Sequence, residues 1–519
     1  MMQKIKKNKL IDRGLILTLM LFPAVLTQGC SGQSENQEFN HPKGAELEAI
    51  LLDFEQYAEK AMEDWQIPGM AVAVIRGDEV IFSKGFGVKK YGEADVVSPN
   101  TIFQIGSTSK AFTATLVAML VDEGLVEWED RVVDYLPDFE MHDPDVTQDF
   151  RVKDLMSQRS GMPGYSADEL AFFGYDREYI IHSIRYIKPV SEFRSQYAYQ
   201  NHLFLVAAKL IEEMTGKTWE QKIQDRIFNP LGMDNSSLDT ETFRSEPDVT
   251  WLHEMEDDEV VVIPMDDKSA FHWPNIYSPA GGINSNVTDM VKWLKFNYNK
   301  GRLDNEQLVS VENMNYLHMP HTPITDTPSN SILSLAYGQA WVLTGYKPFD
   351  FNWHTGATSG CGTVAAFVTQ AEIGIIVLSN RVTGLPQKLA YYFFDRYFGN
   401  PEVDWSAKAL EAHKISIEEE KKNRPVPPEN PEPSLPLESY VGEYENRVID
   451  EMSIGIEGEK LVMTIGPDEV QYILNHFDAD VFIDSDYKFV TFATDEEDNV
   501  RSAELDLIKV MDDNVLIKK

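Results

Sequence analysis

The sequence predicts an α/β fold: a sheet built from both ends of a segment of about 350 residues, a helical subdomain inserted between them, and a small β-barrel after it. Three observations carry this. Met70–Ile75 and Val80–Phe82 are β-rich runs near the start, and Thr363–Thr369 and Ile373–Leu378 are β-rich runs near residue 370. Between Leu125 and Phe271 the pattern is mostly helical with polar loops. Beyond a proline-rich stretch, short β-rich runs alternate with turns to the end of the chain.

Residues 1–30 read as an export signal. Lys4, Lys6, Lys7, Lys9 and Arg13 give a positive start, and Gly14–Leu26 an apolar stretch too short to span a bilayer comfortably. Gly29-Cys30 resembles a bacterial lipoprotein cleavage site, at which Cys30 would become lipidated, although Thr27 stands where that pattern usually has Leu. A soluble protein cut nearby is the alternative. Residues 31–45, with the polar run Ser31–Asn40, suit a tether in either case.

From residue 46 the organisation becomes globular. Leu47–Trp65 has amphipathic helical spacing and stops before Pro68-Gly69. Arg76-Gly77-Asp78 marks a hairpin between the first two β runs. Phe103–Gly106 reads as a short strand or turn, followed by a helix opened by Ser107. Phe112, Leu116, Met119 and Leu120 predict burial along one side of that helix. Leu203–Met214 is a helix closed by Thr215-Gly216-Lys217, Pro279–Gly282 a tight glycine turn, and Asp289–Phe296 another helix. This unit extends to about residue 400. Residues 401–436 read as a linker, with the charge run Glu418–Lys422 and prolines at 425, 427, 428, 431, 433 and 436. Residues 437–519 read as a barrel of short strands: Met452–Ile456, Leu461–Ile465, Val470–Leu474, Val481–Ile483, Phe489–Phe492 and Leu505–Val510.

Composition narrows the function classes. The 519 residues are 43% hydrophobic, enough for more than one core. Against 84 Asp and Glu stand only 46 Lys and Arg, a net charge of −38 that disfavours nucleic acid and anionic lipid headgroups as partners. The two cysteines are Cys30 and Cys361. If Cys30 carries lipid, no intramolecular disulfide is possible. Without a cysteine pair or a His-Glu-x-x-His motif, zinc is not expected, and no metal or organic cofactor is implied.

The chemistry-bearing stretch is Ser107-Thr-Ser-Lys110. Residues three apart share a helix face. A hydroxyl in the first turn lies in the positive end of the helix dipole, and an amine one turn on can hold or take its proton. The motif alone is weak, because Ser is a common N-cap and Lys a common surface residue; Ser485-Asp-Tyr-Lys488 also fits. Only Ser107 follows a glycine and opens a long apolar helix.

Two further stretches give Ser107 its weight. Tyr197-Ala-Tyr199-Gln-Asn201 precedes one helix, and Trp353-His354-Thr355-Gly356 precedes the late β runs. Ser-x-x-Lys, Tyr-x-Asn and His-x-Gly in this order resemble the serine β-lactamase and penicillin-binding-protein superfamily. The likeness is to its class C-like branch, which also holds D-aminopeptidases, D-Ala-D-Ala carboxypeptidases and esterases. Tyr-x-Asn by itself carries nothing, since Tyr444-Glu-Asn446 matches it too. The wording around Phe103–Ser107, Leu155–Gly164 and Ala280–Ser285 is similar to that family, over roughly residues 46–400. The tail resembles the lipocalin-like domain often appended to such hydrolases.

The resemblance implies an antiparallel sheet flanked by helices, with Ser107 as nucleophile and Lys110 and Tyr199 as its proton handlers. Either of the two could be the base: tyrosine, with a reference pKa of about 10, would need Lys110 to stabilise its anion. Asn201 would orient Lys110 and the substrate amide. His354 would stand where β-lactamases carry lysine. Beyond Gly356, the Ala357 N–H would join that of Ser107 in an oxyanion hole. Read without the resemblance, Tyr199 is a core tyrosine, Asn201 an N-cap and His354 a turn residue. Trp273, Tyr277 and Phe271 fit a pocket wall or the core. The expectation is an exported serine hydrolase acting through an acyl-enzyme on a small-molecule or peptide substrate, as a peptidase for D-amino-acid peptides or an esterase. The alternatives are a non-catalytic penicillin-binding-fold sensor and a true β-lactamase.

Overall fold

The structure is a computed structural model describing residues 39–325, 332–432, 434–450, 452–508 and 514–519. The expected export signal, Cys30 and most of the expected tether lie outside these residues.

Helix α1 (Gly44–Asp64) buries Phe54, Ala58, Ala61 and Met62, spaced as one helical face. It leads into β1 (Gly69–Arg76), which turns at Gly77 (φ +54°) into β2 (Glu79–Gly87). Three helices of the interior follow: α2 (Lys110–Asp122), α3 (His202–Thr215) and α4 (Val287–Tyr298). Gly216, left-handed at φ +65°, ends α3; the Asn286 side chain accepts from Asp289 N to start α4. Then come β3 (Thr322–Ile324), β4 (Ser334–Tyr337), β5 (Val342–Gly345), β6 (Phe351–Ala357), β7 (Gly362–Val368) and β8 (Ile373–Ser379), and helix α5 (Leu385–Phe398).

All eight strands form one antiparallel sheet in the order β2-β1-β8-β7-β6-β5-β4-β3. The two ends of the segment do meet: Val72 lies opposite Val377 where β1 pairs with β8. Both central strands β7 and β8 are buried throughout, which explains their unbroken apolar runs. One set of alternate residues, including Ala73, Phe367, Ile376 and Leu378, joins the core containing α2 and α4. α5 packs on β7 and β8 and against α1, where Phe393 meets Phe54 edge-on.

Several local expectations change. Strands β3 to β6 lack the apolar runs of β7 and β8; β3 holds Pro323 and sits at the sheet edge, where a missing N–H is tolerated. A hairpin at Leu252–Glu256 and Glu259–Ile263 interrupts the helical middle. The expected glycine turn is a short helix, Ser278–Gly281. α2 is buried on all sides from Lys110 to Leu120, not along one. Its polar positions carry their own partners: Thr113 Oγ1 donates to Pro279 O (2.7 Å) and accepts from Trp219 Nε1 (3.0 Å). Within the stretch 401–436, expected to be linker, Trp405–Asn423 forms helix α6, whose Trp405 packs beside Tyr391 of α5 and donates to Asp395 (2.7 Å).

The tail is a closed eight-stranded barrel with strands in sequence order. Five of the six expected strands form and are joined by Gly442–Glu445, Val500–Leu505 and Val515–Lys518; of the sixth, expected at Leu505–Val510, Asp506–Ile508 is a 3-10 turn and residues 509–510 lie outside the described residues. Tyr444 opposite Lys518 closes it. The barrel rests on the helical insert: Tyr175 donates to Asp450 (2.8 Å), Tyr179 to Val448 O (3.0 Å), and Asp468 N to Phe173 O (3.2 Å).

Candidate active site

Ser107 sits in a 3-10 turn, Gly106–Ser109, at the head of α2. Neighbouring hydroxyls tighten that turn. Thr108 Oγ1 donates to Ile105 O (2.8 Å), and Ser109 Oγ donates to Gly106 O (2.7 Å) while accepting from Ile283 N (3.1 Å). Gly106 is left-handed at φ +53°, and a Cβ there would lie 2.5 Å from Ala357 N. The absence of a side chain lets the end of β6 touch the turn. From Thr101 to Leu120 every residue is buried except Ser107.

Lys110, fully buried, spends its three donors on Ser107 Oγ (3.1 Å), Asn201 Oδ1 (2.6 Å) and Ala280 O (2.9 Å). Burial lowers its pKa to about 7, with the nearby Asp168 charge pulling the other way. Near neutral pH the amine is therefore present in both forms. Asn201 precedes α3 but does not cap it with its side chain; the amide reaches Lys110 on one side and Asp168 Oδ2 (2.7 Å) on the other. Tyr199 places its ring 4.8 Å from Lys110 Nζ. Desolvation, and then Tyr337, push its pKa well above the ordinary tyrosine range, although a hydrogen bond with Ser107 opposes this.

His354 lies on β6 with both ring nitrogens engaged. Thr355 O can only accept, so Nδ1 carries the proton (2.5 Å), and Nε2 accepts from Tyr337 OH (2.9 Å). Burial, helped by the Lys110 charge, depresses its pKa to about 3. His354 thus stays neutral through the pH range where an ordinary histidine titrates. It therefore offers no charge with which to attract an anionic substrate as pH falls through that range. Gly356 admits the turn as Gly106 does, since a Cβ would lie 2.0 Å from Ile105 O. Ala357, paired with Gly362, is exposed at the strand end beside Ser107's turn.

The cavity above Ser107 measures about 780 Å³. Tyr165, Phe172, Tyr197, Trp273, Tyr337 and Trp353 give it an aromatic wall. Trp273 is pocket lining, whereas Tyr277 and Phe271 belong to the core; Tyr277 OH donates to Ala167 O (2.9 Å). The sequence reading missed Asp168 and Tyr337. Neither sits in a motif, and only the folding of distant segments against Asn201 and His354 reveals them.

Comparison with known proteins shows the family. The family described as Beta-lactamase matches residues 54–395. The chain belongs to the β-lactamase family. A second family, described only as a domain of unknown function, matches residues 426–517, the barrel and the segment before it. Among curated relatives, an unguisins hydrolase of Aspergillus campestris is 30% identical over 419 residues, covering 76% of this chain and 75% of that protein. Penicillin-binding protein 4 of Amycolatopsis lactamdurans is 25% identical over 354 residues, covering 64% and 89%. The fold is also that of the octameric penicillin-binding protein homologue from Pyrococcus abyssi (TM-score 0.60, 20% identity, 90% of this chain and 98% of that one). A class C β-lactamase shares it as well (TM-score 0.55, 18% identity, 70% and 100%).

Proposed function

We propose that this β-lactamase-family protein is an exported serine hydrolase that forms an acyl-enzyme through Ser107 on uncharged amide or ester substrates. The observation that carries this is the buried Lys110 amine 3.1 Å from the one solvent-facing hydroxyl of its turn. With a pKa of about 7, Lys110 has a neutral fraction at physiological pH, whereas the tyrosine beside it is pushed far from ionisation. Lys110 is therefore the base.

Neutral Lys110 takes the Ser107 proton as Oγ bonds to the substrate carbonyl carbon. The resulting oxyanion faces the backbone N–H groups of Ser107 and Ala357. Collapse of the adduct breaks the bond to the leaving amine or alkoxide. That group takes a proton from the Tyr199 hydroxyl, which the Lys110 ammonium restores. Water, deprotonated by the same pair, then attacks the acyl carbon and frees Ser107.

The cavity points to the substrate class. Among the described residues its lining holds no Lys or Arg, and His354 is neutral, so a substrate carboxylate meets no counter-charge from the cavity wall. Aromatic walls favour apolar acyl groups, as in small esters or peptides containing D-amino acids; penicillins and cephalosporins, which carry a carboxylate, should be turned over poorly. Similarity to a protein named as an unguisins hydrolase supports hydrolysis over mere binding. Residues 1–30 support export, with Cys30 as a lipid tether to a membrane.

A fluorophosphonate should label the wild type and leave Ser107→Ala silent. Profiling against short acyl esters, D-amino-acid peptides and a chromogenic cephalosporin should place the cephalosporin last. A folded wild type inert to the probe and to all three substrates would mean a binder; efficient cephalosporin turnover at pH 8 without ester turnover would mean a β-lactamase.

A further inference from the structure

We propose that Asp168 is a positioning residue for this chemistry: its carboxyl group holds the Asn201 amide with the oxygen turned toward Lys110. The inference rests on the Ser107–Lys110 reading above. Four groups form one line, with Asp168 Oδ2 accepting from Asn201 Nδ2 (2.7 Å), Asn201 Oδ1 accepting from Lys110 Nζ (2.6 Å), and Nζ reaching Ser107 Oγ (3.1 Å). A primary amide can be turned either way round. With its NH2 toward Lys110 it would set donor against donor and misplace the amine. An acceptor on the far side removes that choice.

The fold holds the acceptor there. The segment carrying Asp168 is bonded to the residues on both sides of Asn201. Tyr165 N donates to Tyr199 O (2.7 Å), Ser166 Oγ to Gln200 Oε1 (3.0 Å), and the Ser166 carbonyl meets the His202 ring (2.9 Å). Ala167, left-handed at φ +64°, turns the chain, and Tyr277 pins its carbonyl. Asp168 then begins a five-residue helix, with its side chain in the cavity wall. Its second oxygen, Oδ1, is sealed from water and has no protein partner among the described residues. A sealed oxygen does not touch substrate, so Asp168 acts through Asn201. A buried carboxyl oxygen left unpaired costs stability, so the carboxyl is not there for the fold.

Electrostatics couples the ends of the line. Burial raises the Asp168 pKa to about 8 and lowers that of Lys110 to about 7, and each charge favours the other. Glu169, Tyr165 and Tyr277 also face Asp168, while Tyr199 and His354 face Lys110. Of these only Lys110 can supply positive charge near neutrality. The pair shares a proton across this range, and the ionised share of Asp168 supports the charge on Lys110; without that carboxyl, free amine appears at lower pH.

The test is Asp168→Asn in the full chain, with Asp168→Ala as a second variant. Acylation of Ser107 by a fluorophosphonate is followed from pH 5 to 9, together with thermal unfolding. The expected result is a plateau rate about tenfold lower, an acid-side midpoint moved to lower pH by about half a unit or more, and a Tm unchanged or raised. A purely structural residue would instead lower rate and Tm together and leave the midpoint in place. A labelled wild type with unshifted midpoints in both variants overturns the role of Asp168 alone. A silent wild type overturns the serine reading and this one with it. Failure of both variants to fold assigns Asp168 to the fold and overturns the proposal.

Discussion

Ser107 and Ser485 each stand three residues before a lysine, and the two places have nothing else in common. Ser485 and Lys488 lie in an exposed barrel hairpin, where Asp484 Oδ1 accepts from the backbone N–H groups of Asp486 and Lys488. Lys110 is fully buried in a helix head, with three acceptors around its amine. Burial strips Lys110 of the water that would solvate its ammonium and brings the amine to about pKa 7. Spacing puts a serine near a lysine, but desolvation makes the lysine a base.

That contrast can be broken at several points. The largest effect is expected at the serines. Ser107→Ala should cost at least about a thousandfold in acylation rate, while Ser485→Ala stays within about twofold. Labelling followed by peptide mapping checks both, and label on Ser485 would end the comparison. The lysines come next. Lys110→Ala should lower kcat by about a thousandfold without unfolding the chain, and Lys488→Ala should do nothing measurable. Near-normal turnover by Lys110→Ala would mean that Ser107 is activated otherwise.

A smaller change is expected from His354→Lys. An ammonium in that wall would face a substrate carboxylate, so the ratio of cephalosporin to ester turnover should rise by about tenfold. The gain is limited because the new charge must displace the bond from Tyr337 and stand near Lys110.

The smallest effect is on stability against pH. Lys110 titrates at about 7 in the fold and about 10.4 when unfolded, so between these values the unfolded chain binds more protons and stability rises with pH. Asp168, raised to about 8, has the opposite sign between about 4 and 8, so the window from pH 8 to 10 isolates the lysine. Over that window the wild-type Tm should gain a few degrees relative to Lys110→Met. Equal slopes would place the lysine in water.

How much could be read from residues alone follows from how local each signal is. The strands β1, β7 and β8 were legible because central strands buried on both faces must be continuously apolar. Strands β3 to β5 were not, because short strands toward a sheet edge need no such run, nor was β6, where Asn352, His354 and Thr355 break one. Helix α6 was hidden by its charge run, which the structure places on an almost wholly exposed helix held at Trp405 and Ser406. At the site, Ser107, Lys110, Asn201 and His354 were visible as ordered motifs, and the fold brings them together. Asp168 and Tyr337 were invisible, since a single Asp or Tyr carries no local mark of what it will face.

The sequence by itself determined where α1 to α4 and the central strands form, because periodicity and turn chemistry are local, and which residues could do chemistry, because side-chain type is covalent. Tertiary structure decided their state. It buried Lys110 and set it against Asn201 and Asp168, and it kept His354 neutral by burying it beside the Lys110 charge. The physical reason is that a pKa belongs to an environment. The segments that make up this one, near residues 107, 168, 200, 337 and 354, meet only when the sheet closes.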